Sequence, residues 1–314
     1  MTLQVIMGSG PVGSATAMRL AEQGHRVRVL TRSGSGPAVD GVERIAADAT
    51  DTERLTGLLA GAEAVYNCAN PPYHRWTTDW PPLAASMLRA AERAGVVLVI
   101  MSNLYGYGPV DHPISERDPL GATGPKGRVR AAIWTQALAA HQAGRVRVTE
   151  ARAADYFGPG VGQQSPIGQR AVPRLLRGRP VRVFGDPDAP HSWTYVPDIA
   201  TALATLGTDE RAWGRAWHVP TNPPMSQREL FGALADIAGL PAPSVGVIPA
   251  WQLWVARALI PFVRELQEVR YQFERPFVID SSVYRTTFRA RPTPMEDALA
   301  ATLACWAGEG RIAA

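Results

Sequence analysis

Hydrophobic and polar positions follow two alternating patterns in the first half of the chain. Apolar runs of strand length are followed by stretches in which apolar residues recur every three or four positions, as on one helix face. This alternation predicts a parallel sheet with helices on both faces. The predicted strands are Leu3–Met7, Arg26–Thr31, Arg44–Ala46, Ala64–Cys68, Val96–Ser102 and Val146–Ala151. The predicted helices are Val12–Gln23, Asp51–Leu59 (with Asp51 as its N-cap), Asp79–Ala94 and Gly127–Ala143.

The pattern loosens after Tyr156, where Pro and Gly become frequent. We expect a core at residues 1–155 and a smaller α/β substrate lobe at 156–314, which closes over the strand ends and returns some segments to the core sheet. Ser226 and Glu229 predict a capping box. The strands predicted here are Val181–Phe184, Ala216–Val219, Val245–Ile248 and Phe277–Asp280. The predicted helices lie near Pro197–Leu206, Ser226–Ala238, Trp251–Leu259 and Pro294–Trp306.

A glycine-rich turn joins the first predicted strand to the first predicted helix. It consists of Gly8, Ser9, Gly10, Pro11, Val12 and Gly13. Gly8 permits the tight turn, Gly10 has no side chain to block a pyrophosphate, and Gly13 lets the helix pack closely on the strand. The free N–H groups and dipole at the helix start favour a phosphate. We therefore predict a doubly wound Rossmann sheet that binds a dinucleotide, the alternative being a plain strand-to-helix turn.

Residues at the next strand ends indicate which dinucleotide is bound. Arg32 and Ser33 follow the second strand, where an acidic residue would accept the ribose hydroxyls of NAD; their donors suit a 2′-phosphate and favour NADP(H) over NAD(H). The alternative for Arg32 is a solvated arginine. Asp48, followed by Ala49, accepts from the adenine amino group or caps a turn. The fourth strand leads into the small residues expected beside the cofactor, namely Cys68, Ala69 and Asn70.

Composition excludes several other classes of partner. The 314 residues carry a net charge of only +4 with no cationic run, which argues against nucleic acid or an anionic membrane as the main partner. Cys68 and Cys305 match no metal spacing, and we expect both to be reduced in the cytoplasm. We see neither a signal peptide nor an apolar run of the ~18 residues that a membrane span needs. The expected partner is a small molecule.

Five segments together resemble the extended short-chain dehydrogenase/reductase family, specifically its NAD-dependent epimerase/dehydratase group. They are the glycine turn, Asp48 after strand three, Ser102–Pro109, Ala151–Gly160 and His191–Ala200. In the last segment, His191 and Ser192 stand where the family has Arg and Asp. The resemblance implies a Rossmann core with a C-terminal substrate lobe, and a homodimer through the helices Asp79–Ala94 and Gly127–Ala143.

The catalytic signature of that family is replaced in this chain. The family uses Ser or Thr after strand five and Tyr-x-x-x-Lys on the next helix, where the lysine lowers the pKa of the proton-transferring tyrosine. One alignment puts Asn103 at the Ser/Thr, Lys126 at the Tyr and Arg130 at the Lys; another puts Lys126 at the Lys and Ala122 at the Tyr. If Tyr105 marks the register instead, Ser102 takes the hydroxyl role. Lys126 is the only lysine in the chain.

Three functional hypotheses follow. In the first, the chain is an enzyme in which Lys126 transfers a proton or acts as an electrostatic clamp, Asn103 donates a hydrogen bond to a substrate oxygen, and Tyr105 or Tyr156 replaces the missing phenol. In the second, the chain binds NADP as a catalytically silent sensor or scaffold. In the third, it catalyses a non-redox isomerisation or cyclisation.

Aromatic residues concentrate in segments expected to be loops at the mouth of the site. Such side chains suit a small aromatic or carbonyl-containing substrate. The four arginines between Arg170 and Arg179 are candidate diphosphate clamps on one helix, or a solvated helix face. The predicted substrate-binding residues are Tyr73, Trp76, Tyr107, Tyr156, Phe157, His191 and Trp193.

Overall fold

The computed structural model describes residues 1–162, 165–259 and 261–308. Strands in this part of the chain are short and are separated mostly by helices. In chain order they are β1 (Leu3–Met7), β2 (Arg26–Thr31), β3 (Val42–Ala46), β4 (Ala62–Asn67), β5 (Val97–Asn103), β6 (Arg147–Ala153), β7 (Asp155–Phe157), β8 (Val181–Val183), β9 (Trp193–Tyr195), β10 (Ala216–His218) and β11 (Val245–Val247).

The helices range from one turn to five turns in length. In chain order they are α1 (Pro11–Glu22), α2 (Thr52–Leu59), α3 (Trp76–Ala94), α4 (Pro125–Gln142), α5 (Val172–Leu176), α6 (Val196–Thr208), α7 (Gln227–Ile237), α8 (Ala250–Leu259), α9 (Pro261–Leu266), α10 (Tyr271–Glu274), α11 (Ser282–Phe288) and α12 (Met295–Gly308).

The chain forms two compact units. Unit 1 comprises Met1–Gly108, Pro119–Ala153 and Pro197–Val219. Unit 2 comprises Pro109–Asp118, Ala154–Val196 and the chain from Pro220 onward.

Unit 1 is built on a parallel sheet of seven described strands in the order β10-β6-β5-β4-β1-β2-β3. Leu3, Val5 and Met7 on β1 pack into one hydrophobic cluster with α2, α3 and α4. The alternate residues Gln4 and Ile6 are also fully buried. Burial on both faces is the reason that these strands read as continuous apolar runs. This confirms the predicted doubly wound Rossmann sheet.

Two predicted helix caps are present. The Asp51 carboxylate accepts a hydrogen bond from the backbone N–H of Arg54 at 3.0 Å and starts α2. At α7, the Ser226 hydroxyl accepts from the Glu229 N–H at 3.2 Å, and the Glu229 carboxylate accepts from the Ser226 N–H at 2.7 Å. Each bond satisfies a backbone donor at a helix start that has no partner within the helix.

Unit 2 holds two small parallel pairs of strands, β7 with β9 and β8 with β11. Its core is a cluster in which Phe157, Trp193 and Phe231 are almost completely buried, together with apolar residues of α5, α7 and α12. The core of this unit therefore combines large aromatic side chains with aliphatic ones.

Several sequence predictions for unit 2 were wrong. Phe277–Asp280 is not a strand, because Phe277 and Ile279 make only isolated bridges, to His191 and Ile114 respectively. Phe157 and Trp193 lie on strands in the core rather than in loops, because three-residue strands are too short to show alternation. The helix expected to carry the four arginines spans only Val172–Leu176. It includes Arg174, whereas Arg170, Arg177 and Arg179 lie outside it.

None of the helices in the described part of the chain is both long and apolar enough to cross a bilayer. The same residues contain no group of three or more His, Cys, Asp or Glu side chains arranged to hold a metal ion.

The capping box gives a direct test of local stability in unit 2. We expect Ser226→Ala to lower the free energy of unfolding by about 1 kcal/mol, because the Glu229 N–H at the start of α7 loses its acceptor. Ser244→Ala is the matched control, since Ser244 is exposed and lies outside a helix. Chemical denaturation followed by circular dichroism measures both variants. Equal stability of the two would show that the cap contributes nothing.

Candidate active site

The glycine turn between β1 and α1 is shaped by two close backbone contacts. A Cβ on Gly13 would lie 2.1 Å from the Gly8 carbonyl oxygen, and one on Gly8 would lie 2.8 Å from Ala69 Cα. A Cβ on Gly10, by contrast, would meet nothing within 4 Å. Gly10 is also the N-cap of α1 and makes no side-chain capping bond. The turn therefore has open space and backbone donors that fit a pyrophosphate.

Four hydroxyl-bearing residues meet beside this turn at the carboxyl end of β2. The Ser33 hydroxyl donates to Ser35 Oγ at 2.9 Å, and Ser35 Oγ lies 3.4 Å from Ser9 Oγ. Thr31 donates to the Ser35 carbonyl oxygen at 3.0 Å. Arg32 is exposed in the same segment. Sequence analysis missed Ser35, whose hydroxyl connects the glycine turn to the predicted 2′-phosphate donors.

Asp48 caps a local turn in this structure. Its Oδ1 accepts from both the N–H and the hydroxyl of Thr50, each at 2.8 Å. These two bonds, with a smaller contribution from the charge of Arg32, lower the pKa of Asp48. Ala49, the next residue, is buried. The Asp48 carboxylate is thus ionised near Arg32 with one oxygen already engaged.

The end of β4 lies directly against the glycine turn. A Cβ on Gly13 would be 3.2 Å from Cys68 Cβ, and a Cβ on Gly8 would be 2.8 Å from the Cys68 carbonyl oxygen. Burial of the thiol raises the pKa of Cys68 to about 12, against the smaller effect of its hydrogen bond with Thr16. Asn70, two residues further on, is exposed. Cys68 therefore stays protonated and acts as a packing group.

Lys126 lies in an aromatic cluster at the start of α4. It is only 2% exposed, and its Nζ lies 4.8 Å from the centroid of the Tyr73 ring. The Tyr73 hydroxyl donates to the Tyr105 hydroxyl oxygen at 3.2 Å. The backbone N–H of Tyr105 in turn donates to Asn103 Oδ1, also at 3.2 Å. Four of the residues singled out from the sequence are thereby brought together.

Arg130 lies one helical turn after Lys126 and is 8% exposed. Its guanidinium carbon is 4.6 Å from the Trp76 ring centroid and 4.3 Å from that of Trp80. Its Nη1 donates to the Met101 carbonyl oxygen at 3.4 Å. Cation–π contacts of this kind compensate for part of the solvation that a buried cation loses. Trp80 is fully buried on α3, and its contact with Arg130 was not predicted from the sequence.

Gly127 explains how the turn containing Tyr105 approaches α4 so closely. A Cβ at this position would lie 2.5 Å from the Tyr105 carbonyl oxygen and 2.4 Å from Ala122 Cβ. Any larger residue would push the turn away from the helix that carries Lys126 and Arg130. The glycine between these two cations was a signal in the sequence that could have identified the contact.

Tyr107 is not in the aromatic cluster that was predicted to bind substrate. It is buried, and its hydroxyl bonds to Arg152 and His218. Ser102 is also buried and is paired in register with Arg152 on β6. Two charged residues, Glu150 and Arg152, at alternate positions of the predicted strand Val146–Ala151 and its end were the sequence signal for this second group.

In unit 2, His191 forms a buried pair with Asp155. His191 Nε2 lies 2.8 Å from Asp155 Oδ2, and Nδ1 lies 3.1 Å from the Gln272 carbonyl oxygen. The imidazole stacks on Phe273 with centroids 5.0 Å apart. Both ring nitrogens therefore face oxygen atoms, and the Asp155 carboxylate offsets any charge on the ring. Tyr156, next to Asp155, is half-buried.

Comparison with known proteins identifies the family. Residues 5–219, more than half of the chain, match the family described as NAD dependent epimerase/dehydratase. The chain belongs to this family. It is 29% identical over 261 residues to a UDP-glucose 4-epimerase of Mycolicibacterium smegmatis, an alignment that covers 74% of this chain and 81% of that protein.

Two further matches show how varied the relatives of this chain are. The chain is 26% identical over 260 residues to 2'-dehydrokanamycin reductase of Streptomyces kanamyceticus, covering 80% of this chain and 71% of the relative. The fold is similar to dTDP-glucose 4,6-dehydratase of Bacillus anthracis in complex with NAD, with a TM-score of 0.82, 15% identity and coverage of 99% and 98% of the two chains.

The two glycines of the turn are expected to respond differently to substitution. Gly13→Ala should cost about 2 kcal/mol or more of stability, because the new methyl group meets the Gly8 carbonyl oxygen. Gly10→Ala should change stability by less than about 0.5 kcal/mol, because its methyl group enters open space. Thermal unfolding of both variants checks this. Equal destabilisation would contradict the close approach of α1 to the turn.

Proposed function

We propose that the protein is an NADP(H)-dependent oxidoreductase or epimerase acting on a small carbonyl-containing or aromatic molecule. In this proposal Lys126, Tyr105 and Asn103 replace the Tyr-x-x-x-Lys signature of the family. The observation that carries the proposal is the position of the only lysine, which is buried against Tyr73 beside two hydrogen-bonded phenols. Clustered ionisable groups at the ends of parallel strands are typical of catalytic sites.

Tyr105 is the group best placed to move a proton. The Tyr105 hydroxyl oxygen accepts from the Tyr73 hydroxyl, and in this proposal the Tyr105 O–H donates to a substrate oxygen. Negative charge that develops on Tyr105 is stabilised by the Tyr73 O–H, and Tyr73 lies beneath the Lys126 ammonium. The nicotinamide supplies or accepts the hydride when the cofactor is bound.

Asn103 and Arg130 complete the proposed site. Asn103 uses its carbonyl oxygen to accept from Tyr105, which leaves its amide N–H groups to donate to a carbonyl or a developing oxyanion. Arg130 stands at the family's lysine position and adds a second fixed positive charge one turn after Lys126. The aromatic rings of Tyr73 and Trp76 exclude water and offer a flat surface to the substrate.

The cofactor in this proposal is NADP(H). The glycine turn binds the pyrophosphate, while Arg32 and Ser33 donate to the 2′-phosphate, with Ser9 and Ser35 close by. The second carboxylate oxygen of Asp48 accepts from the adenine amino group in this proposal. The residues proposed to lie beside the adenosine and the nicotinamide are Ala49, Cys68, Ala69 and Asn70. In this proposal Pro11 and Val12 lie in the first turn of α1 beside the pyrophosphate. Val12 has a backbone N–H to donate, whereas Pro11 has none.

Tyr156 and His191, both in unit 2, are also proposed to bind substrate. His191 stands where the family has an arginine, yet its two nitrogens are directed at Asp155 and Gln272. It therefore does not present a free cation to a diphosphate. This favours a substrate without a nucleotide diphosphate at that position. Phe157 and Trp193, which the sequence also predicted to bind substrate, are buried in the core of unit 2.

A second function, NADP binding without chemistry, is favoured by the packing of Arg130. A guanidinium stacked on both Trp76 and Trp80 has a structural role whether or not a reaction occurs. In either function, we propose a homodimer through α3 and α4, as in the family resemblance.

Cofactor choice is tested by Arg32→Asp. We expect NADP(H) affinity to fall about 10- to 100-fold, the effect of losing a charge-assisted bond, while NAD(H) affinity is retained. Arg26→Asp is the matched control, because Arg26 is equally exposed at the opposite end of β2. Isothermal titration with both nucleotides measures the change. Unaltered NADP(H) binding in Arg32→Asp would remove Arg32 from the cofactor site.

The catalytic role is tested by Lys126→Met. Turnover should fall at least about 100-fold while NADP(H) affinity changes by no more than a few fold, because the positive charge over Tyr73 that stabilises charge developing on Tyr105 is lost and the cofactor contacts remain. Arg128→Met, an exposed cation two residues away, is the control.

The assay for this variant screens ketones, enones and nucleotide sugars for NADPH oxidation and for product. Unchanged turnover in Lys126→Met would exclude the role given to this residue. Cofactor binding without consumption across the screen supports the silent sensor. Product formation without a change at the nicotinamide absorbance band supports the non-redox alternative.

A further inference from the structure

Four polar residues of unit 1 form a buried network that the proposed mechanism does not use. Their exposed fractions are 1% for Glu150, 3% for Arg152, 3% for Tyr107 and 0% for His218. They come from neighbouring strands, because Arg152 on β6 is paired in register with Ser102 on β5 and with His218 on β10. Tyr107 reaches them from the 3-10 turn Tyr105–Tyr107 that follows β5.

The bonds in this network run from an ion pair to a phenol and then to an imidazole. Arg152 Nε donates to Glu150 Oε2 at 2.6 Å, and Nη1 donates to the Tyr107 hydroxyl oxygen at 2.5 Å. The same hydroxyl lies 2.8 Å from His218 Nε2. Because a guanidinium only donates, the Tyr107 phenol oxygen accepts from Arg152. The Tyr107 hydroxyl proton is then the one that points to His218.

Such a network is costly to bury. Removing Glu150 and Arg152 from water carries a desolvation penalty that their attraction repays only when the remaining donors also find partners. Tyr107 provides one of these partners. Loss of its hydroxyl would leave an Arg152 N–H without its strongest acceptor outside the ion pair, so the position of Tyr107 is tightly determined.

The turn that carries Tyr107 also carries Tyr105, and its two ends contact different clusters. Tyr105 bonds to Tyr73, whose ring lies under Lys126. Tyr107 bonds to Arg152 and His218. Between them the turn has only Gly106, and it ends at Gly108 with φ +74°. A single 3-10 turn therefore links the buried network to the aromatic contact beneath Lys126.

We propose that Tyr107, Arg152 and His218 are positioning residues that hold Tyr105 against Tyr73 and thereby keep Lys126 enclosed. The importance of this role for catalysis rests on the proposed function, whereas the enclosure itself does not. The network acts through the turn and not through contact with substrate or cofactor.

The enclosure is measurable because the chain has one lysine. An amine reagent reaches a side chain that is 2% exposed only when the surrounding structure opens, so the labelling rate reports the population of open states. Pulse labelling of the full chain with an N-hydroxysuccinimide ester, followed by peptide mass spectrometry, gives this rate. The N-terminal amine provides an internal reference in the same sample.

Tyr107→Phe should raise the labelling rate of Lys126 about fivefold or more, the effect of losing one buried hydrogen bond. Tyr66→Phe is the matched control. Tyr66 is also fully buried in unit 1, and its hydroxyl donates to Gln4 Oε1 at 3.1 Å, but it contacts neither cluster. A Tyr66→Phe variant should lose stability without selective exposure of Lys126.

Two results would overturn the proposal. One is an equal rise in both tyrosine variants, which would make the network a contribution to global stability only. The other is no rise in Tyr107→Phe. If Tyr107→Phe does not fold, the pair His218→Gln and His218→Leu replaces it: Gln keeps an acceptor for the phenol and should preserve protection, whereas Leu should lose it. Because the readout needs neither turnover nor cofactor, its failure is distinct from failure of the proposed function.

Discussion

Parallel pairing of the central strands is the constraint on which the candidate site depends. Because β1, β2, β4, β5 and β6 all run in one direction, their carboxyl ends lie at the same edge of the sheet. Residues of the proposed site lie at those ends: Gly8, Arg32 and Cys68 directly follow β1, β2 and β4, and Asn103 is the last residue of β5. Antiparallel pairing of any one of these strands would move its residue to the opposite edge. The topology of the sheet therefore determines where these residues lie, and their side chains determine what they can do there.

The fold of unit 1 was largely predictable from the sequence, for a physical reason. Its strands and helices bury whole faces, so the spacing of apolar residues reflects their packing directly. The glycine turn was equally readable, because contacts as short as those around Gly13 leave no choice of residue. Caps such as Asp51 and Ser226 depend on neighbours three residues away and are likewise visible in sequence.

The rest of the site was less predictable because it depends on contacts between distant residues. Tyr107 and His218 are 111 residues apart in sequence, so no local sequence pattern predicts their hydrogen bond. The aromatic residues Phe157 and Trp193 look like loop residues when read along the chain, yet they fill a core. Hydrophobicity alone does not distinguish an aromatic side chain that contacts substrate from one that packs against other aromatic side chains. The placement of Lys126 beside Tyr73 has the same origin, since it depends on how α3 and α4 pack.

The thiol beside the glycine turn has a consequence for how this protein meets oxidants. Burial raises the pKa of the Cys68 thiol to about 12, so the thiol is protonated at neutral pH. The thiolate is the species that peroxides attack, so Cys68 is chemically quiet. An oxygen added to this sulfur would also have to be accommodated where Gly13 already approaches Cys68 Cβ closely. Peroxide stress should therefore leave this part of the dinucleotide cradle intact, whereas an ionised cysteine here would make it a point of oxidative inactivation.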